Sequence, residues 1–201
     1  MIVTKLEKVD KKKTKVFLDE EYAFILYPQD LRLYKIEEDM EVSEELYCRI
    51  MAETIIRRAK QKAMALLKRS DRTEKELYIK LKQNEYPEEA IEEAISYVMK
   101  YGYIDDERYL ENYVFYKKGS KSMRIMELEL QQKGLSKEQI RKQLEREEFN
   151  DEEAIQKAIR KKVGTQTELS YEETQKVAAY LYRKGFREDD IRKYLWNRDK
   201  E

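Results

Sequence analysis

The sequence predicts a mainly α-helical protein made of three tandem three-helix repeats in a curved, extended array, preceded by a small amino-terminal β-hairpin region. Two observations carry this prediction. Five glycines and two prolines interrupt a chain that is otherwise rich in Glu, Lys, Leu, Arg and Ala, the residues that lose least on entering a helix. Three similar segments follow one another about fifty residues apart, as expected for units that stack on their neighbours.

The first 41 residues form a separate region, because they hold short runs of β-branched and aromatic side chains. Residues 14–18 and 22–27 are two such runs with acidic residues between them, a pattern that predicts a hairpin. Residues 2–9 alternate well enough to supply a third strand, and two strands alone would be marginally stable. Pro28-Gln29-Asp30 predicts the turn that ends the second strand of the hairpin.

The repeat is visible when its three copies are aligned. The copies begin at Leu81, Leu130 and Leu181 and have the sequences LKQNEYPEEAIEEAI, LQQKGLSKEQIRKQL and LYRKGFREDDIRKYL. Gly134 and Gly185 can adopt the left-handed conformation that ends a helix, so each copy predicts a helix stop followed by a restart. The first copy has Asn84-Glu85 in place of Lys-Gly and therefore lacks the residue that best tolerates this conformation.

A second signal opens each unit, where an apolar residue, a capping side chain and acidic residues follow in order. It recurs at residues 42–45, 104–107 and 149–152, and it predicts one long helix after Ser43. The middle and third helices are predicted to start near Thr73, Ser122, Ser170, Pro87, Ser136 and Arg187. The predicted units are residues 42–103, 104–148 and 149–201. The alternative is a chance similarity between helices in a chain rich in Glu and Lys.

The composition argues against most enzyme chemistry. The chain has no histidine and one cysteine, so it lacks the most common general base and the ligands of most zinc sites. It also lacks the glycine-rich patterns that bind nucleotide phosphates. The carboxylate pairs Asp105-Asp106 and Asp189-Asp190 lie at predicted helix starts, where capping is their expected role. We therefore expect no catalysis, no cofactor and no metal, and an enzyme that uses these carboxylates is the weaker alternative.

Charge and hydropathy limit the location and the partners. The 42 basic and 42 acidic residues cancel, so binding to a polyanion must be local. The first ten residues carry charges where a signal peptide would be apolar, and no apolar run approaches the ~20 residues that span a bilayer. We expect a cytoplasmic monomer that does not enter a membrane.

Local positive charge occurs in three stretches, each late in the first helix of a unit or just after it. The candidate partner-binding residues are Arg57, Arg58, Lys68, Arg69, Arg72, Lys117, Lys118, Lys121, Arg124, Arg160, Lys161 and Lys162. If the units stack in one orientation, these cations form a discontinuous stripe that suits a phosphate backbone or an acidic protein surface. The alternative is that they stabilise the carboxyl ends of helices and keep the surface solvated.

Tyrosine is the other abundant residue with a possible binding role. Sixteen tyrosines offer rings on which nucleic-acid bases can stack. Six of them lie at helical spacing, for which packing in the core is the expected use. These six are Tyr101, Tyr103, Tyr109, Tyr113, Tyr180 and Tyr194.

Three segments carry a resemblance to a known family. They are RSDRTEKELYIKL at 69–81, KYGYIDDERYLENYV at 100–114, and the stretch from Gly119 to Leu135 that ends in ELQQKGL. They resemble the RecX family of RecA recombinase regulators. The resemblance implies tandem three-helix repeats that lodge in the helical groove of a RecA filament on single-stranded DNA. It further implies hindrance of strand exchange and ATP hydrolysis by RecA, and so a role in recombination, DNA repair and the SOS response.

The chain departs from the family pattern at Glu85, where the other copies of the repeat have glycine. Its zero net charge is also less basic than direct DNA binding favours. Contacts with RecA are therefore the leading expectation, with single-stranded DNA contacted weakly or through the filament. The alternative is a helical-repeat protein that binds nucleic acid directly through the basic stripe, in which case tight binding weakens steeply as salt rises.

Overall fold

A computed structural model describes residues 1–147, 149–164 and 169–196. Helices dominate, and a three-stranded antiparallel sheet lies at the amino terminus. This confirms a mainly helical protein with a small amino-terminal β region. The chain divides into two compact units, Met1–Asp105 and Asp106–Glu201, and each unit has buried apolar clusters of its own.

The sheet consists of β1 (Val3–Lys8), β2 (Thr14–Leu18) and β3 (Glu21–Leu26). The strands pair antiparallel in the order β1-β2-β3, so the predicted hairpin and its third strand are confirmed. Alternate side chains of β2 and β3 point towards the core. Val16 and Phe24 are among them and are almost fully buried.

Helix α1 (Pro28–Tyr34) begins where the sequence predicted a turn, so that prediction is wrong. Proline suits the first position of a helix, because its missing N–H would have no partner there. The Asp30 carboxylate accepts a hydrogen bond of 2.8 Å from the Tyr27 backbone N–H and closes the first helical turn. Since proline and aspartate favour both turns and helix starts, the local sequence does not separate the two.

The predicted long helix after Ser43 is confirmed. It runs as α2 (Glu44–Ile50), a π-helical segment (Met51–Ile56) and α3 (Arg57–Leu67). Helices α4 (Glu74–Gln83) and α5 (Glu88–Lys100) follow, with Thr73 and Pro87 as their N-caps, as predicted. The helices share one apolar cluster with the sheet, and its fully buried side chains include Ile50, Leu77, Leu81, Ile91 and Leu26.

Glu85 lies in the turn between α4 and α5 with a φ of +61°, in the left-handed region that costs a non-glycine residue about 1–2 kcal/mol. The sheet supports this turn directly. The Tyr22 hydroxyl donates a hydrogen bond to the Glu85 carbonyl, and the Lys15 ammonium pairs with the Glu85 carboxylate. The Asn84 side-chain amide adds a hydrogen bond of 2.7 Å to the Lys80 carbonyl. The turn therefore forms without the glycine of the other copies.

The second unit contains two further sets of three helices among its described residues. In order they are α6 (Asp106–Lys117), α7 (Met123–Gln132), α8 (Lys137–Arg146), α9 (Glu152–Val163), α10 (Tyr171–Arg183) and α11 (Glu188–Ile191), and a π-helical segment (Arg192–Trp196) extends the last. The starts predicted near Ser122, Ser136, Ser170 and Arg187 are confirmed, since each residue is an N-cap. One apolar cluster lies under α6 to α8 and another under α9 to α11.

Within the second unit, the beginning of α7 packs against the set formed by α9 to α11. The Ser122 hydroxyl donates a hydrogen bond of 2.7 Å to the Lys184 carbonyl, and the Met123 backbone N–H donates one of 2.7 Å to the Asp151 carboxylate. Gly185 has a φ of +80°, and a Cβ there would lie 2.9 Å from the Ser122 hydroxyl oxygen. Both the backbone conformation and this close approach therefore require glycine at the turn.

The six tyrosines at helical spacing divide into two groups. Those that pack against the apolar clusters of the second unit, as predicted, are Tyr109, Tyr113, Tyr180 and Tyr194. Tyr101 and Tyr103 are 59% and 49% exposed, so the prediction of core packing is wrong for these two. They lie after the end of α5 and before the start of α6, where helical spacing no longer defines a buried face.

Candidate functional site

Arg58 is half-buried, and its charged group is paired within the first unit. Its guanidinium donates hydrogen bonds of 2.6 and 2.9 Å to the buried Asp30 carboxylate and lies 4.3 Å from the centroid of the Tyr27 ring. A buried carboxylate needs such a partner, because an unpaired charge in the interior is strongly destabilising. Arg58 therefore joins α1 to α3, and this role occupies its charged group.

The other candidate cations of the first unit flank α3. Arg57 opens this helix and is exposed, whereas Lys68 and Arg69 are exposed at its far end. The helix has 11 residues and so spans about 16 Å, which keeps the two groups apart. Arg72 is half-buried, and its Nε is buried without a hydrogen-bond partner among the described residues.

Lys121 is held by contacts inside the second unit. Its ammonium lies 2.6 and 2.5 Å from the two carboxylate oxygens of Glu129 and 3.2 Å from the Tyr113 hydroxyl. Burial lowers the pKa of Lys121, and the ammoniums of Lys133 and Lys184 lower it further. Lys121 is thus a half-buried cation in a region where positive charge is concentrated.

Two exposed aromatic rings lie beside Lys117 and Lys118 at the end of α6. Phe115 is 68% exposed and Tyr116 is 73% exposed, with ring centroids 5.3 Å apart in an edge-to-face arrangement. We call these two rings the aromatic pair. Such rings are typical anchors of binding surfaces. The Lys118 ammonium donates a hydrogen bond of 2.6 Å to a backbone carbonyl of the α8 end, whereas Lys117 is half-buried at the end of the helix.

The sequence-based prediction did not include the aromatic pair, because it gave Phe115 no role and named no individual tyrosine as a stacking surface. A signal was present, because Leu110 and Val114 mark the buried face of α6. The two residues that follow Val114 fall outside a face with spacings of three and four. Arg124, the remaining candidate of this stretch, is exposed on the first turn of α7.

The third candidate group forms the last turn of α9. Arg160, Lys161 and Lys162 are all exposed there. The Lys162 ammonium lies 5.7 Å from the centroid of the Tyr180 ring, a distance at which a cation is attracted by the ring face. The three side chains leave one turn of a helix in different directions, so they do not share a single contact surface.

A cleft in the second unit brings together two of the predicted cations and two others. Lys121 lines it from the α6–α7 turn, Lys157 and Lys161 from α9, and Lys184 from the turn after α10. We call it the lysine cleft, and its volume is about 340 Å³. Its other lining residues are Ser120, Ser122, Ile125, Glu129, Ala154, Ala158, Tyr180 and Phe186.

Lys184 lies outside the three basic stretches of the sequence, whereas Lys157 belongs to the third of them. The available signal was its place in the repeat, since Lys184 precedes the turn residue Gly185 as Lys133 precedes Gly134. Neither the repeat nor the charge runs indicated that the turn at Lys184 approaches the basic end of α9. The approach depends on packing between segments that are distant along the chain.

Neither a membrane-spanning helix nor a metal-binding cluster occurs in the described part of the chain. Within residues 1–147, 149–164 and 169–196, no helix is long and apolar enough to cross a membrane. Over the same residues, no group of three or more His, Cys, Asp and Glu side chains is arranged to hold a metal ion.

The fold and the surface define the class of protein, which is a tandem helical-repeat protein with exposed cations and aromatic rings. Family models match two of its three-helix segments. The model of the first three-helix domain of RecX matches residues 59–97, and the model of the third three-helix domain matches residues 150–195.

Relatives of known identity extend the match along the chain. The chain is 37% identical over 199 residues to the regulatory protein RecX of Caldanaerobacter subterraneus subsp. tengcongensis, covering 97% of this chain and 98% of the relative. It is 31% identical over 202 residues to that of Clostridium botulinum strain Alaska E43, covering 94% and 92%. The chain belongs to the RecX family of regulatory proteins, as its motifs predicted.

Solved structures agree on the fold. A crystal structure of a regulatory protein RecX has a TM-score of 0.60 and 24% identity, and the match covers 98% of both chains. The crystal structure of RecX from Lactobacillus salivarius also has a TM-score of 0.60 and 24% identity, covering 74% of this chain and 99% of that one. These similarities establish a shared fold.

Proposed function

We propose that this protein binds the RecA filament on single-stranded DNA, in its helical groove, and inhibits ATP hydrolysis and strand exchange by RecA. Membership of a family of regulatory proteins supports this function. The single observation that carries it is the aromatic pair beside cations at the end of α6. The protein acts in the cytoplasm, where such filaments form, as a monomer without a cofactor or a catalytic step.

The aromatic pair and the exposed cations supply different parts of the binding energy. Buried aromatic anchors carry much of the affinity of a protein interface, whereas charges at its rim mainly direct the encounter. Arg58 and Lys121 are half-buried and have ion pairs of 2.6 and 2.5 Å, so we assign them to stability. Lys118, by contrast, is exposed, and its ion pair with Glu147 is longer, at 3.8 Å. The cations that we assign to the partner are Arg57, Lys68, Arg69, Arg72, Lys117, Lys118, Arg124, Arg160, Lys161 and Lys162.

The test is RecA-catalysed ATP hydrolysis on single-stranded DNA as the protein is titrated in. We expect inhibition, and a Phe115→Ala/Tyr116→Ala variant should raise the half-inhibitory concentration by roughly thirtyfold or more, because loss of an anchor typically costs about 2 kcal/mol or more. Tyr171→Ala is the matched control, since this ring is 76% exposed at the start of α10. No inhibition at saturating protein would contradict the proposed function.

The cations are tested in the same assay. Lys117→Glu with Arg124→Glu should weaken inhibition about tenfold, and more at low salt, because exposed charges act through a field that salt screens. Lys137→Glu with Lys142→Glu makes the same charge change on exposed positions of α8 and should leave inhibition unaltered. Equal effects of the two double variants would assign the loss to net charge rather than to this surface.

The alternative function is direct binding of nucleic acid, and the aromatic pair also favours it, because exposed rings next to cations can stack unpaired bases. The discriminating measurement is the affinity for a labelled single-stranded oligonucleotide without RecA, over a series of salt concentrations. Tight binding with a steep salt dependence, lost in the Phe115→Ala/Tyr116→Ala variant, would support the alternative. Weak binding in the presence of strong RecA inhibition would exclude it.

A further inference from the structure

The lysine cleft holds more positive charge than its surroundings neutralise. Four lysines line it and one glutamate faces them, and that glutamate is paired with Lys121. No ion pair of Lys157, Lys161 or Lys184 occurs among the described residues. Like charges that share a concave surface repel one another unless an anion lies between them.

The helix dipole explains the positions of only two of the four lysines. Lys161 is in the last turn of α9 and Lys184 follows the last turn of α10, where the negative end of the helix dipole attracts a cation. Lys157 lies in the middle of α9, four residues before Lys161, and like charges at this spacing destabilise a helix. Lys121 directly precedes the N-cap of α7, where the dipole repels a cation.

The lowered pKa of Lys121 reflects burial and the same repulsion between ammonium groups. Burial lowers it, and the nearby ammoniums of Lys133 and Lys184 lower it further, even though the Glu129 carboxylate lies in contact with the Lys121 ammonium. A polyanion in the lysine cleft would relieve this repulsion. Binding of such a ligand is therefore the state in which all four lysines are electrostatically satisfied.

The remaining lining residues give the cleft a second, less polar side. The half-buried Ile125 and Ala158 provide apolar surface backed by the buried Ala154 and Phe186, and the half-buried Tyr180 adds an aromatic ring. The volume of about 340 Å³ is within the range of sites for small ligands. A ligand that matches both sides carries several negative charges at one end and a flat, less polar group at the other.

We propose that the lysine cleft binds a nucleoside polyphosphate, with the phosphates at Lys157, Lys161 and Lys184 and the nucleoside against Tyr180 and the apolar side of the cleft. Lysines bind phosphates as point charges and do not need the glycine-rich loop that this sequence lacks. Lys121 remains paired with Glu129 and contributes to the positive field. The cleft shares Lys161 with the cations assigned to RecA, and it is tested without RecA so that the two proposals can fail separately.

The experiment is calorimetric titration of the full chain with ATP and with inorganic triphosphate at physiological salt. We expect one site for ATP, with triphosphate bound more weakly because it lacks the nucleoside. Lys157→Gln with Lys161→Gln should weaken ATP binding by roughly tenfold or more, since a hydrogen bond to a charged group is worth about 1.5–3 kcal/mol. Lys137→Gln with Lys142→Gln, exposed on α8, is the control with the same charge change and should shift the affinity less than about twofold by the same scale.

Several outcomes would overturn the proposal. Absence of binding by ATP and triphosphate at millimolar concentration would remove the site. An equal loss in both double variants would show only general attraction of anions. Triphosphate bound as tightly as ATP would show that the nucleoside makes no stabilising contact in the cleft. Displacement of ATP by an oligonucleotide without a terminal phosphate would assign the cleft to a nucleic-acid backbone. Lys184→Gln should also weaken ATP binding. Circular dichroism checks the fold of each variant.

Discussion

At the scale of single residues, the two adjacent arginines at the start of α3 have opposite roles. Arg58 is half-buried and donates two hydrogen bonds to the buried Asp30, whereas Arg57 is exposed. The sequence showed both as members of one basic run. Helical geometry explains the difference, because neighbouring residues on a helix point about 100° apart, and only the partner on α1 decides which arginine is internal.

Replacement of Arg58 by alanine should reduce the free energy of unfolding by about 3–5 kcal/mol, because the Asp30 carboxylate would remain buried without its charged partner. Urea denaturation measures the change. Arg57→Ala is the matched control and should alter stability by less than about 0.5 kcal/mol, as exposed substitutions usually do. Similar losses in the two variants would show that the Arg58–Asp30 pair is not a buried stabilising contact.

At the scale of elements, the helix starts were predictable because capping is a local property. A hydroxyl or carboxylate at the N-cap contacts backbone N–H groups two or three residues later, so a short segment of sequence contains the whole signal. Ser136 with Gln139 shows this. The turn predicted at Pro28 was wrong, because the local signal that starts helix α1 there also fits a turn. Contacts between elements, such as Ser122 with Lys184, have no local signal.

The α10–α11 turn should tolerate substitution less well than a comparable turn in the first unit. Gly185→Ala adds a Cβ 2.9 Å from side-chain atoms of Ile125 and Ser122, and overpacking of this kind costs about 1–3 kcal/mol beyond the backbone penalty. Gly102 has a similar φ of +68° but open space around it, so Gly102→Ala measures the backbone penalty alone. Thermal unfolding of both variants should rank Gly185→Ala as clearly less stable, and equal melting temperatures would contradict the contact.

The junction between α7 and α9 should respond to pH through Asp151. Burial raises the pKa of this carboxyl above its ordinary value of 3.8, although the hydrogen bond from Met123 opposes the change. Folding therefore favours the protonated form. The stability that Asp151 contributes is full below the unfolded pKa and is lost as pH rises through the folded pKa.

Asp151→Asn removes this titration and keeps an oxygen that can accept the Met123 N–H. The variant should gain stability relative to the parent protein as pH rises from about 3 to about 6. Chemical denaturation at a series of pH values measures the difference. Stability profiles that run parallel over this range would show that Asp151 does not carry the pH dependence.

At the scale of the whole molecule, the balance of charge determines solubility and association, whereas it does not determine the fold. The chain has equal numbers of basic and acidic residues, yet the second unit concentrates cations in the lysine cleft. A prediction based on net charge alone would miss this local field. The cleft depends on residues 121, 157, 161 and 184, which meet only after three segments have folded together.

The isoelectric point near pH 6.6 predicts a minimum of solubility at that pH, because proteins without net charge associate most readily. Precipitation by polyethylene glycol at a series of pH values measures it. Lys137→Glu with Lys142→Glu adds net negative charge and should move the minimum to lower pH. A minimum that stays in place would indicate association through a local patch, for which the aromatic pair is the candidate.

The support that the sheet gives to the Glu85 turn has a consequence for how the first unit opens. Tyr22 and Lys15 hold this turn from the strands, so detachment of the strands would remove the contacts that offset its unfavourable φ. Amide protons of β3 and of the first turns of α5 should then exchange with solvent deuterium through one shared opening event, at the same free energy. The amino-terminal strands would thus belong to the cooperative folding unit of the first repeat, and early exchange confined to the strands would show that they are an independent appendage.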